Sequence, residues 1–324
     1  MKKILMFFLV LVTAVLSMVP LGAVSEGDYI KYAEFNVTYE ALCEALEQDI
    51  STYNEDVHIN WVELLSLLGA KYGGDFSHYK TKDLRAYAQK IQDGQSLREI
   101  SKDMKYFDYY HQVYSAVLQG FVGEHTRVSI AETGEITEET VYGLKVYSPI
   151  AATFPYSHFD DFGASRSYGY DRRHLGHDMM AAVGTPVIAV ESGEVEVLGW
   201  NQYGGWRIGI RSEDGMRYYY YAHLRQNRPY HCDLKEGEKV AAGDVIGYVG
   251  RTGYSPNENE NGIETPHLHW GLELVFDESQ KESDNEIWID LYAITKLLET
   301  HRSQVVRVAE TREFYSLSQQ RESQ

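Results

Sequence analysis

Residues 265–274, TPHLHWGLEL, set His267 and His269 two positions apart among apolar neighbours. On a β-strand, positions two apart share a face. Both imidazoles then look one way, and Leu268 and Trp270 the other. Upstream, YDRRHLGHDMMAA places His174 and Asp178 four apart with Gly176 between them. A helix would merely pair those two side chains, but the glycine and the strand signal at Pro186 favour a loop leading into a strand. The run YYYYAHL puts Tyr219, Tyr221 and His223 on one face of a further strand. A catalytic zinc needs three ligands from His, Asp or Glu and one open position. It also needs neighbours that move a proton and stabilise developing negative charge. His174, Asp178 and one imidazole of the 267/269 pair fill such a shell. The other imidazole and His223 are then free for proton transfer and transition-state stabilisation.

The elements that must position these groups fall into two halves. Between residues 38 and 121 apolar residues recur at helical spacing, as in Trp61, Leu64, Leu65 and Leu68, or Leu84, Tyr87, Ala88 and Ile91. Ser96 and Glu99 read as a capping box. The pattern predicts four or five helices. Histidines 58, 78, 111 and 125 share no spacing there and read as structural. Residues 123–143 are acidic and threonine-rich, a linker or hairpin. Beyond them the period becomes two, with short strands at 187–190, 194–197, 206–211 and 216–224. Ser192-Gly193 and Asp214-Gly215 read as hairpin turns, and glycines from 237 to 253 punctuate another strand set. A helix over 289–298 follows, then a polar segment, 301–324, expected to fray. The expected class is α+β. An all-helical domain (26–122) precedes a compact antiparallel β domain (144–300).

The ordered series His174-Leu-Gly-His-Asp178, Gly184-Thr-Pro-Val187, Tyr221-Ala-His223, the glycine-punctuated run 237–253 and His267-Leu-His269 resembles the lysostaphin/LytM-type zinc metalloendopeptidases, peptidase family M23. The resemblance covers about residues 143–273. It implies the antiparallel β fold of that family and one Zn2+ per chain, held by His174, Asp178 and His269. His223 and His267 are then the catalytic histidines, and the peptide stems or cross-bridges of bacterial peptidoglycan the substrate. His177 fills a position that is usually apolar in the family and is expected to play an accessory part or none. Two departures bear on the cleft rim. Thr265-Pro266 stands where a Ser-Thr-Gly lead is common, and the polar segment 257–264 lengthens the preceding loop. The alternative is a non-catalytic envelope protein with a degenerate peptidase domain, yet each expected ligand position is filled here. The segment GTPVIAVESGEVEVL also resembles lipoyl-carrier hairpins, but its turn offers no acceptor lysine.

The chain has 324 residues, with 30 basic against 48 acidic ones, for a net charge of −18. That balance argues against nucleic-acid partners, which need a basic footprint, and against electrostatic attachment to anionic lipid. The N-terminus, MKK followed by an apolar run over 4–24, reads as an export signal with cleavage after Ala23 or Ser25. The run is also long enough for an uncleaved anchor, the one membrane attachment the sequence offers. Either way the expected location is outside the cytoplasm, in the envelope or secreted. An exported pair, Cys43 and Cys232, can form one bridge, although the helical context of Cys43 favours a free thiol. Nothing in the pattern specifies an oligomer.

Overall fold

A computed structural model describes residues 30–131, 135–168, 170–281 and 283–322. The apolar N-terminal run read as a signal or anchor lies outside these residues. Among them, no helix is long and apolar enough to cross a membrane.

Helices α1 (Tyr39–Thr52), α2 (Trp61–Tyr72), α3 (Thr81–Gln92), α4 (Leu97–Ser101) and α5 (Phe107–Leu118) come first. Each long helix turns one stripe inward, and Trp61, Leu64, Leu65 and Leu68 of α2 are all buried. Polar caps define where α1, α2 and α4 begin. Asn60 accepts from the N–H groups of Val62 and Glu63, and Ser96 and Glu99 form the reciprocal box. The acidic stretch that follows is a hairpin of β1 (Val122–Ile130) and β2 (Ile136–Leu144).

The remaining strands are β3 (Tyr156–His158), β4 (Ser165–Tyr168), β5 (Tyr170–Arg173), β6 (His177–Ala181), β7 (Pro186–Ile188), β8 (Gly193–Asn201) and β9 (Gly205–Ser212). Then come β10 (Arg217–Ala222), β11 (Lys239–Val240), β12 (Val245–Tyr248), β13 (His267–Leu274) and β14 (Ile287–Trp288), with α6 (Tyr292–Leu298) after them. Eight of these strands make one antiparallel sheet in the order β11-β8-β9-β10-β13-β6-β3, with β14 joined to β13. Strands β4 and β5 pair as a separate hairpin, and β7 pairs with β12.

The Asp214-Gly215 turn does join β9 to β10, but Ser192-Gly193 is no hairpin. Strand β7 pairs with β12, while β8 pairs with β9 and β11, so the chain passes from one sheet to another there. The polar C-terminal segment is also more ordered than its composition predicts. Strands β15 (Val305–Arg307) and β16 (Phe314–Ser316) form a hairpin, and β17 (Ser318–Glu322) pairs with β1. The reason lies in a few residues. Phe314 packs on the cluster of Tyr147, Ile188, Val245 and Tyr248, and the buried Glu313 accepts a hydrogen bond from the Tyr248 hydroxyl. Burial of one aromatic and one satisfied carboxylate outweighs the polar character of the rest. Both cysteines are free, Cys43 half-buried and Cys232 exposed.

One face of the main sheet is core. Leu268, Trp270, Leu272 and Leu274 of β13 and Tyr219 and Tyr221 of β10 are buried. Residues 31–324 form one compact unit, and a buried ion cluster ties the helices to the sheet. Arg217 is 1% exposed and donates to both Glu191 oxygens at 2.8 and 3.0 Å, to Asp214 at 2.8 Å and to the Ala116 carbonyl of α5 at 2.9 Å. The Tyr219 hydroxyl donates to the same Glu191 at 2.6 Å. Gly120 passes so close that a Cβ there would stand 2.1 Å from Glu191 Oε1. Removing one member of such a cluster strands a buried charge. Glu191→Ala should therefore lose about 3–5 kcal/mol of stability in urea unfolding. The paired Glu191→Leu/Arg217→Met change should recover most of it.

Candidate metal and catalytic site

The site is assembled on the face of the sheet opposite the core, by the register of β6 against β13. His269 stands directly opposite Asp178, and His267 opposite Met180. His267, His269, Gly271 and Glu273 thus share the open face of β13, as the alternation predicts. His174 is not part of the sheet. It lies just before β6, where its N–H bonds the Ala164 carbonyl at 2.9 Å and its carbonyl accepts from Gly163 at 2.8 Å. That turn swings its ring over the Asp178–His269 pair.

Three donor atoms converge there. His174 Nε2 lies 2.9 Å from His269 Nδ1 and 3.0 Å from Asp178 Oδ1, and His269 Nδ1 lies 3.0 Å from the same oxygen. Tetrahedral ligands about 2.0–2.1 Å from a zinc ion stand about 3.3 Å apart, so the triangle is a few tenths of an ångström tighter than such an ion requires. The outer contacts also suit a ligand set. His174 Nδ1 is 3.2 Å from both the carbonyl and the carboxylate of Asp161, which leaves Nε2 to face the centre. Arg166 bonds Asp161 and lies 3.2 Å from Asp178 Oδ2. Burial alone would raise the Asp178 carboxyl, but the adjacent His174 and His269 outweigh it and hold that group well below the usual carboxylate range. Gly176 makes room for the His269 ring, since a Cβ there would meet its Nε2 at 2.5 Å.

The remaining two histidines flank this centre. His267 donates from Nδ1 to the Thr265 carbonyl at 2.8 Å, and its Nε2 lies 3.8 Å from Asp178 Oδ1. The Thr265 carbonyl thereby fixes the tautomer of the first histidine. His223 does not continue β10. Its φ of 60° puts it in the left-handed region, held by a bond from its N–H to the Gly204 carbonyl at 2.7 Å. Its Nδ1 donates to the Thr252 carbonyl at 3.0 Å, and its ring meets those of His267, His269 and Tyr254 with centroids 4.8, 5.8 and 5.8 Å away. Burial, with His267 and His269 beside it, holds its pKa well below the ordinary histidine value. This break in the strand overturns the expected grouping. Tyr219 and Tyr221 belong to the core, while Tyr218 and Tyr220 line the groove with His223.

His177 lies on the other face of β6. Its Nε2 is 2.7 Å from His158 Nδ1, and burial with His158 as neighbour pushes its pKa down to about 3. Asp161 and Arg166 escaped the sequence reading, because only the turn at 161–164 brings them to His174. The inserted loop is tied to the rim. Asn259 accepts from the Trp206 indole at 2.9 Å and from the Asn227 N–H at 2.7 Å. A groove of about 560 Å³ runs from the histidines along β13 to Glu273.

Residues 172–283 match the family model described as Peptidase family M23. The chain is 41% identical over 124 residues to the L-Ala--D-Glu endopeptidase of Bacillus subtilis, covering 38% of this chain and 36% of that protein. It is 39% identical over 98 residues to lysostaphin of Staphylococcus simulans, covering 30% and 17%. It thus spans little more than a third, at most, of these curated relatives. A crystal structure of a provisionally assigned glycyl-glycine endopeptidase LytM from Ruminococcus gnavus has the same fold, with a TM-score of 0.55, 23% identity and coverage of 85% of this chain and 92% of that one.

At the far end of the groove Glu273 is 2% exposed, and its Oε1 has no hydrogen-bond partner among the described residues. Burial, reinforced by Glu286, pushes its pKa up to about 8. An acid whose folded pKa exceeds its unfolded one keeps a proton that the unfolded chain has lost, so stability falls as pH rises between the two values. Glu273→Gln should therefore unfold at a higher temperature than the parent at pH 8 and at nearly the same temperature at pH 5. Equal shifts at both pH values in a thermal melt would contradict a buried neutral carboxyl.

Proposed function

We propose that the M23 domain at residues 172–283 makes this chain an exported, zinc-dependent endopeptidase that cuts peptide bonds in the stems or cross-bridges of bacterial peptidoglycan. One observation carries the reading: the converging His174 Nε2, Asp178 Oδ1 and His269 Nδ1, with two histidine rings beside them. Those three atoms would hold one zinc ion. Bound there, zinc supplies Lewis-acid polarisation of the scissile carbonyl and lowers the pKa of water.

The chain's own residues divide the proton work. His267 and His223 each commit Nδ1–H to a backbone carbonyl, so each turns a bare Nε2 to the groove. Both are therefore built to accept a proton before giving one. His267 is the nearer to the ligand triangle and takes the first proton from water. That proton then goes to the departing amine, directly from His267 or by way of the neighbouring Nε2 of His223, which burial keeps neutral and so free to receive it before handing it on. Arg166 and Asp161 fix the orientation of Asp178 and His174. The name of the Bacillus relative suggests alanyl-glutamyl bonds as the first substrates to test, and the basic–apolar start of the chain supports export.

Full-length protein should carry one zinc per chain by elemental analysis and release new amino groups from peptidoglycan. A chelator should abolish release and added zinc restore it. His269→Ala should empty the metal site, while His223→Ala should keep zinc and lose about 10²–10⁴-fold in rate. Stoichiometric zinc with no hydrolysis of wall or peptides would instead assign the chain to the non-catalytic class of envelope proteins.

A further inference from the structure

The groove carries charge of the opposite sign to the molecule. Arg166, Arg172, Arg173, Arg207 and Lys281 line it against Asp178, Glu273 and Glu286, in a chain of net charge −18. Two of these cations are neutralised, Arg166 by Asp161 and Asp178, and Lys281 by Glu196. Arg172 and Arg207 are different. Neither forms an ion pair among the described residues, and each has a buried nitrogen, Nη1 of Arg172 and Nε of Arg207, without a hydrogen-bond partner.

Both arginines are placed rather than loose. Arg172 donates from Nη2 to the Tyr254 hydroxyl at 2.8 Å, and its guanidinium carbon lies 5.0 and 5.1 Å from the ring centroids of Tyr203 and Tyr254. Tyr254 in turn meets the ring of His223. Arg207 lies on β9, four residues after Tyr203. The pairing of Ile208 with Tyr221 puts Arg207 opposite Ala222, and Ala222 faces His269. Arg207 is thus two strands from the ligand row, about 10 Å between Cα atoms. A residue of extended peptide spans about 3.3–3.6 Å. An arginine side chain reaching back over the groove therefore meets a residue next to the one at the metal triangle.

A guanidinium N–H shut away from water needs an acceptor, and its fork geometry matches a carboxylate. We propose that Arg207 and Arg172 form a carboxylate-binding subsite that selects peptides with an acidic residue adjoining the cleaved bond. The subsite rests on the peptidase reading, and its test separates the two. Full-length, zinc-loaded protein is given two acetylated peptides that differ only in alanyl-glutamate or alanyl-glutamine at the cut bond. The same pair, N-methylated at that amide to prevent hydrolysis, is used for equilibrium binding.

The parent protein should favour the glutamyl peptide by about 10–100-fold in kcat/KM and in affinity. Arg207→Gln and Arg172→Gln should each shrink that ratio by about tenfold or more, and Arg207→Lys, which keeps the charge without the fork, should shrink it less. Cleavage of both peptides at equal rates would overturn the subsite and leave the peptidase reading standing. So would a preference that neither arginine variant alters. Selective binding of the glutamyl peptide, lost in Arg207→Gln, without cleavage of either peptide would uphold the subsite and overturn the peptidase reading. Neither binding nor cleavage would overturn both.

Discussion

The site depends on one register, that of β13 against β6. Because side chains alternate across a strand, slipping this pair by one residue would send His267 and His269 into the core and bring Leu268 and Trp270 to the surface. The buried Trp270 and Leu272 therefore hold the histidines in place as firmly as any contact the histidines make themselves. Hydrophobic burial on one face fixes the chemistry on the other. Asp178 and His269 are cross-strand neighbours for that reason, and only His174 has to be brought in from outside the ladder.

The sheet is in turn held from behind by charge. Arg217 and Glu191 lie on the core side, against the end of α5, and their mutual bonds replace the water each has lost. The helical half contributes no side chain to the groove's lining. Its visible tie to the sheet is at the end of α5, where the Ala116 carbonyl accepts one arginine donor and Gly120 passes close to Glu191. The groove face can then carry many titratable side chains among its aromatic ones, since stability is supplied elsewhere.

What was legible in the sequence followed from periodicity. The shared face of His267 and His269, the helical half, the Asp214-Gly215 turn and the strand set after residue 143 all follow from alternation or from the 3.6-residue repeat. The misreadings occurred where one backbone angle or one long-range contact overrides the local pattern. His223 leaves its strand through a positive φ, so the tyrosines that share its groove are the even-numbered ones. Asp161 and Arg166 join the centre through a turn with no sequence signature. Ser192-Gly193 has hairpin chemistry, yet the flanking strands belong to different sheets. The ordered C-terminal segment hinges on Phe314 and Glu313, two residues in a polar run whose average composition says otherwise.

That segment also has a consequence for how the molecule is made. Strand β1 pairs with β2 a few residues later and with β17 across nearly the whole fold, Ser129 opposite Ser318. The near partner can form as soon as the hairpin exists. The distant one requires residues 318–322, so until these have been synthesised one edge of β1 presents unpaired N–H and C=O groups. Such an edge is a template for association between chains, and contacts so distant in sequence form late because loop closure must come first. A nascent chain therefore passes through a stage in which its helices and much of its groove can form while this small sheet still has an open side. Until the second pairing forms, that edge stays open to a strand from another copy of the chain.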